Sequence, residues 1–428
     1  MTTSGRKKRH VDGRALVVVA LLAYFAIVGS KISTHGWVGG WEFVHVDGTL
    51  PRFKDLTAVF QGWDRYRAGT PVAQIQSQAY ETPRILSMAY PSIWLRLFAP
   101  LGLGEAQTFV FGVLLGIAVS AAALLFFGPL TLLEGAFAAA LLVSPGLMFG
   151  IERGNVDLIL FLIVLFGVWL LSTRFAAAPV VSAALLFFAG LLKLYPIAAV
   201  ACFFKTRRHV LVFAPALLFT AYCLLLRREL RRIFHNAGRD TRWSFGCMVP
   251  FDRLDRWLMQ HGHASHKAAL ELAGLALAIL ILGIVTAWTW RWMQECVVKP
   301  DLPGFAFLAG TAIYLLCFLI GNNYEYRFRW LILMIPQIFL WIRSRNPGWR
   351  RGLLALAMML LATYATNITN DGRLVYVADP SNWLLFAVMV SLAAGALKTD
   401  MLRAFYRYPG LLRQITGSRA AQEESTTA

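Results

Sequence analysis

The stretch AQTFVFGVLLGIAVSAAALLFF at positions 106–127 has 22 residues and no charged side chain. A helix needs about 17–25 mostly apolar residues to cross a bilayer, so this stretch predicts a membrane-spanning helix. Similar runs recur along the 428-residue chain, which is 58% hydrophobic and 15% charged, against about 25% charged in an ordinary soluble domain. This composition excludes a disordered chain, a secreted disulfide scaffold and an ordinary soluble enzyme. The sequence therefore predicts an all-α polytopic membrane protein.

The apolar runs predict about twelve crossings, within a range of 10–12 because several runs lie near the lower length limit. The run 178–204 is interrupted by KLYP (193–196), where a lysine and a proline favour two half-helices that meet outside the membrane. The expected spans are 15–30, 106–127, 136–149, 157–172, two within 178–204, 209–226, 267–290, 304–320, 330–342, 352–366 and 382–397.

The basic residues near the first span predict the orientation. Residues 1–14 form a basic, cytoplasmic N-terminus, followed by a transmembrane domain at 15–397. We expect a large first outer loop at 31–105 with interfacial helices, including the short apolar stretch 90–102. The tail 398–428 is expected in the cytoplasm with a disordered end. The prediction is a multi-pass protein of the plasma (inner) membrane with both termini inside.

The net charge of +18 is scattered between the apolar runs. This pattern favours contact with a lipid bilayer and predicts no nucleic-acid partner. The arginine-rich segment 227–266 is placed outside, where it either gathers an anionic acceptor or lipid headgroups or is only an interfacial anchor. His261, His263 and His266 have no carboxylate or cysteine at ligand spacing in their loop, so we expect no metal site.

Four polar clusters interrupt or cap apolar runs, and the predicted orientation places all of them on the outer face. Ionisable groups at such positions are costly unless they face a cavity. We therefore expect a cavity that opens to the outside. The clusters are the loop 31–88 with Asp55, ERGNVD (152–157), KLYP (193–196) and NNYEYRFR (322–329).

The cations of these clusters fit a phosphate group. Arginine binds phosphate as a fork and lysine as a point charge. A carboxylate nearby is suited to accept a proton from a hydroxyl. Together these residue types predict sugar transfer from a lipid-linked phosphate, and the candidate phosphate ligands are Arg153, Lys193, Arg327 and Arg329.

The first outer loop contains a family resemblance. FKDLTAVFQGWDRYRAGTPV (53–72) and AYPSIWLRLFAPLG (89–102) look like the opening of polyprenol-phosphate-sugar-dependent glycosyltransferases of the GT-C superfamily. The closest resemblance is to glycosyltransferase family 87, whose members include mannosyltransferases. The resemblance implies a GT-C-type helical bundle.

Three later segments extend this resemblance in the same order. SPGLMFGIERGNVDLIL (144–160) is similar to the Gly-Gln-x-Asn element of the family, although Glu152–Arg153 replaces the usual glutamine. LLKLYPIAAVACFF (191–204) is similar to its Lys-x-x-Pro element. NNYEYRFRWLILMIP (322–336) is similar to a later Asn-aromatic-acid-Tyr-Arg element.

The resemblance implies that an aspartate in the first outer loop is the catalytic base. Asp55 matches it by its place at the head of an aromatic helix, 14 residues before Gly69. Asp64 is the runner-up, and its simpler interpretation is a surface ion pair with a neighbouring arginine. Asp47 is the third candidate, but an Asp-Gly pair is more often a turn.

Further substrate-binding residues are expected in the same clusters: Asn155, Tyr90, Tyr195, Asn323 and Glu325. Structural alternatives stay open for several of them. Asn155 or Asp157 fits the N-cap of the next helix, and Tyr90–Pro91 fits a helix start. Glu325 fits a simple ion-pair partner for a nearby arginine, and Glu152 fits either an orienting group for Arg153 or a salt bridge at a helix end.

The predicted reaction is an inverting transfer of a hexose from a polyprenyl-phosphate sugar to a lipid-linked or envelope glycan. Asp55 would accept the proton of the acceptor hydroxyl while the cations hold the departing phosphate, so no metal or other cofactor is required. Mannose follows from the resemblance alone.

A secondary transporter or flippase of a sugar or lipid-linked sugar is the alternative. It would also have about twelve helices, but we find no convincing internal repeat, and the polar clusters lie on one face rather than at the midplane. The sequence leaves the oligomeric state open.

Overall fold

The computed structural model describes residues 12–77, 82, 85–206, 208–236, 243–365 and 377–400. The expected N-terminal segment 1–14 and tail 398–428 therefore lie almost wholly outside the described residues. Within them the fold is almost entirely helical, as expected for an all-α protein.

The α-helices are α1 (Arg14–Glu42), α2 (Lys54–Arg67), α3 (Val72–Ile75), α4 (Ile93–Phe98), α5 (Thr108–Phe127), α6 (Leu132–Leu142), α7 (Pro145–Glu152), α8 (Asp157–Leu171), α9 (Ala178–Leu192), α10 (Val210–Leu225), α11 (Arg227–Asn236), α12 (Val249–Gln260), α13 (Lys267–Trp292), α14 (Leu302–Leu319), α15 (Ile335–Arg343), α16 (Trp349–Ala365) and α17 (Val377–Asp400). The 3₁₀ helices are Ala99–Leu101, Glu105–Gln107, Tyr195–Thr206 and Glu325–Met334, and the strands are β1 (Ser244–Phe245) and β2 (Asn323–Tyr324).

Length and hydropathy identify the helices that are able to cross a membrane. In the described part of the chain five qualify, namely α1, Glu105–Phe127, α13, α14 and α17. The number is seven if the bent pairs α6–α7 and α10–α11 each count as one span. The protein is therefore a multi-pass helical membrane protein. The number is below the expected twelve because expected spans such as α8 and α9 form shorter apolar helices of 10–17 residues.

The first helix extends beyond the expected span 15–30. α1 continues to Glu42 across a kink at Gly36, whose φ of 74° interrupts the helical geometry. Trp37 and Trp41 are buried in this second part. Residues 31–42, which we expected in the first outer loop, are therefore helical, and Trp37 and Trp41 pack them against the protein.

The expected interfacial helix 90–102 is two short helical turns, α4 and Ala99–Leu101. Gly102 ends the second turn with a φ of 76°. Trp94 and Leu95 are buried, and the indole of Trp94 donates a hydrogen bond to the carbonyl of Leu192 at 2.9 Å. The segment therefore packs on α2 and on the end of α9.

The interruption at KLYP occurs where the sequence predicts it. α9 ends at Leu192, and a 3₁₀ helix begins at Tyr195 and packs back against α9. A proline at 196 disfavours α-helical geometry for the residue before it, which explains the break. Because a 3₁₀ helix rises about 2.0 Å per residue, the 12 residues of Tyr195–Thr206 extend roughly 24 Å.

The centre of the fold is α14, of which 67% is buried, whereas α13 is 11% buried and lies at the periphery. α14 packs against both long 3₁₀ helices. β1 pairs antiparallel with β2 immediately before the 3₁₀ helix Glu325–Met334. The core therefore fixes the two segments that contain the predicted KLYP and NNYEYRFR clusters.

Gly135 permits a close approach between α6 and the start of α1, and we predict that Gly135→Ala destabilises the fold. A Cβ there would lie 2.3 Å from the carbonyl oxygen of Gly13, and this backbone atom cannot move aside alone. We expect a loss of about 1–3 kcal/mol, the usual result of overpacking. Gly283→Ala is the matched control, because nothing lies within 4 Å of that position. The measurement is the fraction of folded protein in detergent as temperature rises, and equal curves for the two variants would contradict the prediction.

Candidate functional site

Polar residues from all four predicted clusters line one cavity of about 490 Å³, which we call the Asp55 cavity. Its polar wall brings together residues that are far apart in sequence. The predicted site residues in this wall are Asp55, Tyr90, Arg153, Lys193, Tyr195, Asn323 and Arg327.

The backbone between α7 and α8 positions the centre of this wall. The amide of Gly154 donates to the carbonyl of Ile151 and the amide of Asn155 to that of Gly150, both at 3.0 Å. These two bonds form the Schellman motif that ends a helix with a left-handed residue. Gly154 is that residue, with a φ of 57°, and a Cβ there would lie 3.0 Å from the side chain of Phe53. The loop therefore needs glycine both for its turn and for its contact with the start of α2.

Asp55 lies in the first turn of α2, and its side chain is 13% exposed. Its Oδ1 accepts hydrogen bonds from Nη2 and Nε of Arg153 at 2.5 and 3.0 Å, and its Oδ2 accepts one from Nδ2 of Asn155. The backbone amide of Asp55 donates to the carbonyl of Arg153 at 3.0 Å. An ionised carboxylate has about four acceptor positions, so three donors leave roughly one for a ligand.

Asn155 joins this ion pair to a second one. Its Oδ1 accepts hydrogen bonds from the backbone amide of Asp157 at 2.9 Å and from Nζ of Lys193 at 3.4 Å. Lys193 also donates to Oδ1 of Asp157 at 2.6 Å. Asp157 is fully buried and Lys193 is 12% exposed. Asn155 therefore caps the start of α8, which was one of the two interpretations of the sequence. Its side chain also connects the Asp55–Arg153 pair to the Asp157–Lys193 pair.

Arg327 adds a second cation beside Asp157. Its Nε lies 3.8 Å from Oδ2 of Asp157, and its guanidinium stacks over the ring of Tyr195 at 4.7 Å from the ring centroid. Nζ of Lys193 lies 5.3 Å from the ring centroid of Tyr90 and 5.4 Å from that of Tyr326. Aromatic faces stabilise cations at such distances, so these rings help to hold both charges at the wall.

Tyr90 is a neutral hydrogen-bonding group in this wall. Desolvation raises the pKa of its hydroxyl well above the usual value, and the negative charge of Asp55 adds to this effect. Its loop is fixed because Glu229 of α11 accepts hydrogen bonds from the backbone amide and the hydroxyl of Ser92, at 2.5 and 2.9 Å. The amide of Gln76 donates both to Glu229 and to the carbonyl of Tyr90.

Arg329 does not line the Asp55 cavity, which differs from its predicted role as a phosphate ligand. It is 2% exposed, its Nε donates to the carbonyl of Tyr326 at 2.8 Å, and it borders a separate void of about 20 Å³. A 3₁₀ helix has three residues per turn, so residues two apart, such as Arg327 and Arg329, point in different directions.

Two other predicted residues have structural contacts. Asn323 lines the cavity, but its amide donates to the carbonyls of Cys317 and Gly321. Glu325 is fully buried and does not border the cavity, and its backbone amide donates to the carbonyl of Trp243. The side chain of Asn323 thus binds the end of α14, and the backbone of Glu325 binds the residue before β1. Glu325 does not contact the cavity that the sequence predicts for it.

The competing aspartates lie elsewhere. The side chain of Asp64 is 45% exposed, forms an ion pair with Arg67 at 2.5 Å and accepts a hydrogen bond from the backbone amide of Glu105. This is the surface pair that its sequence context suggested. Neither Asp64 nor Asp47 lines the Asp55 cavity. Of the three candidate bases, Asp55 alone does so.

Glu152 does not orient Arg153 through a hydrogen bond. Its carboxylate is fully buried and accepts from the indole of Trp37 at 3.0 Å and from the backbone amide of Thr49 at 2.8 Å. It therefore connects the end of α7 to the end of α1 and the following loop.

Several residues of the site had no predicted role in the cavity. Asp157 was considered only as a helix cap, although an aspartate that opens an apolar helix signals a buried counter-charge. Lys54 adds a cation to the wall, and Glu271 of α13 adds a carboxylate that pairs with Lys267 at 3.9 Å. The apolar wall includes Leu230, Ile233 and Phe234 of α11. Their i, i+3, i+4 spacing within an arginine-rich segment indicates an amphipathic helix with one buried face.

Among the described residues, no three His, Cys, Asp or Glu side chains are grouped as a metal site.

A scan against protein-family models gives no match for this chain, and neither do searches of curated proteins and of solved structures.

Breaking the buried pair Asp157–Lys193 tests the electrostatics of the wall. We predict that Asp157→Asn destabilises the protein by about 3–5 kcal/mol, because Lys193 and Arg327 would lose their buried counter-charge. The double variant Asp157→Asn/Lys193→Met should recover part of this loss, since it removes one unpaired cation. Thermal unfolding in detergent measures both effects, and a double variant less stable than the single one would contradict the assignment.

Proposed function

We propose that this protein is an integral-membrane glycosyltransferase that moves a hexose from a polyprenyl-phosphate sugar to a glycan or glycolipid acceptor. The main support is a single observation: one cavity contains the paired carboxylate Asp55, the cations Lys193 and Arg327, and an apolar wall. The resemblance to glycosyltransferase family 87 at the same segments supports the same class, and mannose as the sugar rests on that resemblance alone.

The cavity suits a ligand with a negative head and an apolar tail. The wall and the buried Asp157 behind it have one positive charge in excess, with four cations against three carboxylates: Lys54, Arg153, Lys193 and Arg327 against Asp55, Asp157 and Glu271. The apolar side is formed by helix α11 and by side chains of other elements: Leu86, Leu194, Leu230, Ile233, Phe234, Met248 and Ile320. A prenyl phosphate has both of these properties.

We assign the phosphate contacts to Lys193 and Arg327, with Lys54 as a further cation of the same wall. Asp157, which is buried behind the cavity wall, forms ion pairs with both Lys193 and Arg327 and so fixes their positions. Arg153 has a different role in this proposal, because its guanidinium donates two hydrogen bonds to Asp55. It orients the base through these two hydrogen bonds.

Asp55 acts as the general base. The acceptor oxygen forms a bond to the anomeric carbon, and the bond between that carbon and the phosphate oxygen breaks. The hydroxyl proton passes to Asp55, and the bond electrons leave with the polyprenyl phosphate, whose added charge Lys193 and Arg327 stabilise. Attack opposite the departing phosphate inverts the anomeric centre. These protein groups supply the charge stabilisation without a metal or other cofactor.

We place the cavity on the outer face of the plasma membrane, in a bundle of 10–12 crossings with cytoplasmic termini. The support is the charge distribution: KTRRH (205–209) and RSRNPGWRR (343–351) are basic and fall on the opposite side from the site segments in the predicted topology.

The change Asp55→Asn tests the base directly. We expect transfer to fall by at least about 10²-fold, because an amide cannot accept the proton. Asp64→Asn is the matched control and should retain transfer, since that aspartate lies outside the cavity wall. The assay uses the protein in liposomes with radiolabelled polyprenyl-phosphate mannose and crude envelope acceptors.

Two results would overturn this proposal. Transfer that survives Asp55→Asn and is lost with Asp64→Asn would move the base. If wild type and Asp55→Asn both move the lipid between leaflets and neither transfers the sugar, the result would favour a flippase.

The two nearby arginines give a second test. We expect Arg327→Gln to lower transfer by about 10²–10³-fold, because it removes a charge from the departing phosphate. Arg329→Gln should change stability more than the transfer rate of the folded protein, since Arg329 borders a different void. Initial rates normalised to folded protein separate the two effects, and equal losses of rate would contradict the assignment.

A further inference from the structure

Helix α11 has two sides with different surroundings. Leu230 and Ile233 are 7% and 9% exposed and line the Asp55 cavity, together with Phe234. The other side contains the arginines of RRELRRIFHN, and Arg227, Arg228 and Arg231 are exposed. One side of α11 is thus part of the cavity wall, whereas the other is a basic outer surface.

The position of α11 relative to α10 places this basic surface beside the membrane. α10 and α11 qualify as a membrane span only as a bent pair, and the angle of 77° between them turns α11 away from the direction of α10. Leu224 and Leu225 at the end of α10 are 65% and 83% exposed, as expected for side chains in contact with lipid. Arg227 follows two residues later, where a cation meets lipid headgroups.

The arginines of α11 have no acidic partner in the part of the chain that the structure describes. Among the described residues, no ion pair is formed by Arg227, Arg228, Arg231 or Arg232. The one acidic residue of the helix, Glu229, is occupied by Ser92 and Gln76. The outer side of α11 is therefore a compact positive surface whose charge is not neutralised by its own helix.

We propose that this surface binds the headgroups of anionic phospholipids and thereby anchors α11 as a wall of the Asp55 cavity. Charge complementarity and the position at the end of a lipid-exposed span both point to a phosphate-bearing headgroup. The bound lipid holds α11 at the membrane surface, and Glu229 transmits this position to the Tyr90 loop through Ser92. This binding is separate from the sugar transfer proposed above and does not require it.

Native mass spectrometry of the full-length protein in detergent measures this binding, with phosphatidylglycerol and phosphatidylcholine as the two probes. We expect wild type to retain phosphatidylglycerol at about tenfold lower concentration than phosphatidylcholine. The variant R227Q/R228Q/R231Q should lose this preference. The variant R227K/R228K/R231K should keep it, because the charge and not the fork geometry is required.

The variant R96Q/R174Q/R256Q is the matched control, since it removes the same charge from exposed arginines outside α11. It should keep the preference for phosphatidylglycerol. The proposal is overturned if wild type shows no preference, if R227Q/R228Q/R231Q keeps it, or if the control loses it equally. Occupancy of the arginine surface by an anionic soluble glycan instead of lipid would also overturn it. None of these outcomes depends on transferase activity.

Discussion

The side-chain amide of Asn155 is the contact on which the geometry of the site depends. Its nitrogen donates to Asp55, and its oxygen accepts from Lys193 and from the backbone of Asp157. An amide has a donor and an acceptor on one planar group, so it is able to connect two ion pairs that an aliphatic side chain would leave apart. Through this one side chain, α2, α8 and the end of α9 have fixed relative positions. The Schellman turn at Gly154 places it there.

The surroundings of this contact determine what the cavity is able to bind. Ionised groups removed from water are costly unless they are paired. Arg153 is paired with Asp55, and Asp157 is paired with Lys193. The pairing leaves one cation in excess at the wall, close to apolar side chains of α11. A charged head and an apolar tail are thus accommodated by adjacent surfaces. The same arrangement leaves Asp55 with an acceptor position that a hydroxyl is able to use.

The helical membrane class and the break at KLYP were predictable, because apolar length and a proline have local effects on the backbone. The choice of Asp55 over Asp64 agrees with the structure in one respect, since only Asp55 lines the cavity. The pairing of Arg153 with Asp55 and the separation of Arg329 from Arg327 were not predicted. Both depend on how elements rotate and pack against each other, and the 3₁₀ geometry of Glu325–Met334 has no clear signal in the sequence. The full length of α1 was not predicted, because the segment with Trp37 and Trp41 is polar enough to suggest a loop, and only the structure shows that both tryptophans are buried.

A cryo-electron microscopy structure of the protein with a short-chain polyprenyl phosphate tests the central claim most directly. The account predicts phosphate density within hydrogen-bonding distance of Lys193 and Arg327, a prenyl tail along Leu230 and Ile233, and Asp55 still bound to Asn155. Phosphate density at Arg329 or outside the Asp55 cavity would contradict it. A lipid path that continues through the protein to the opposite membrane face would also contradict it and would favour transport.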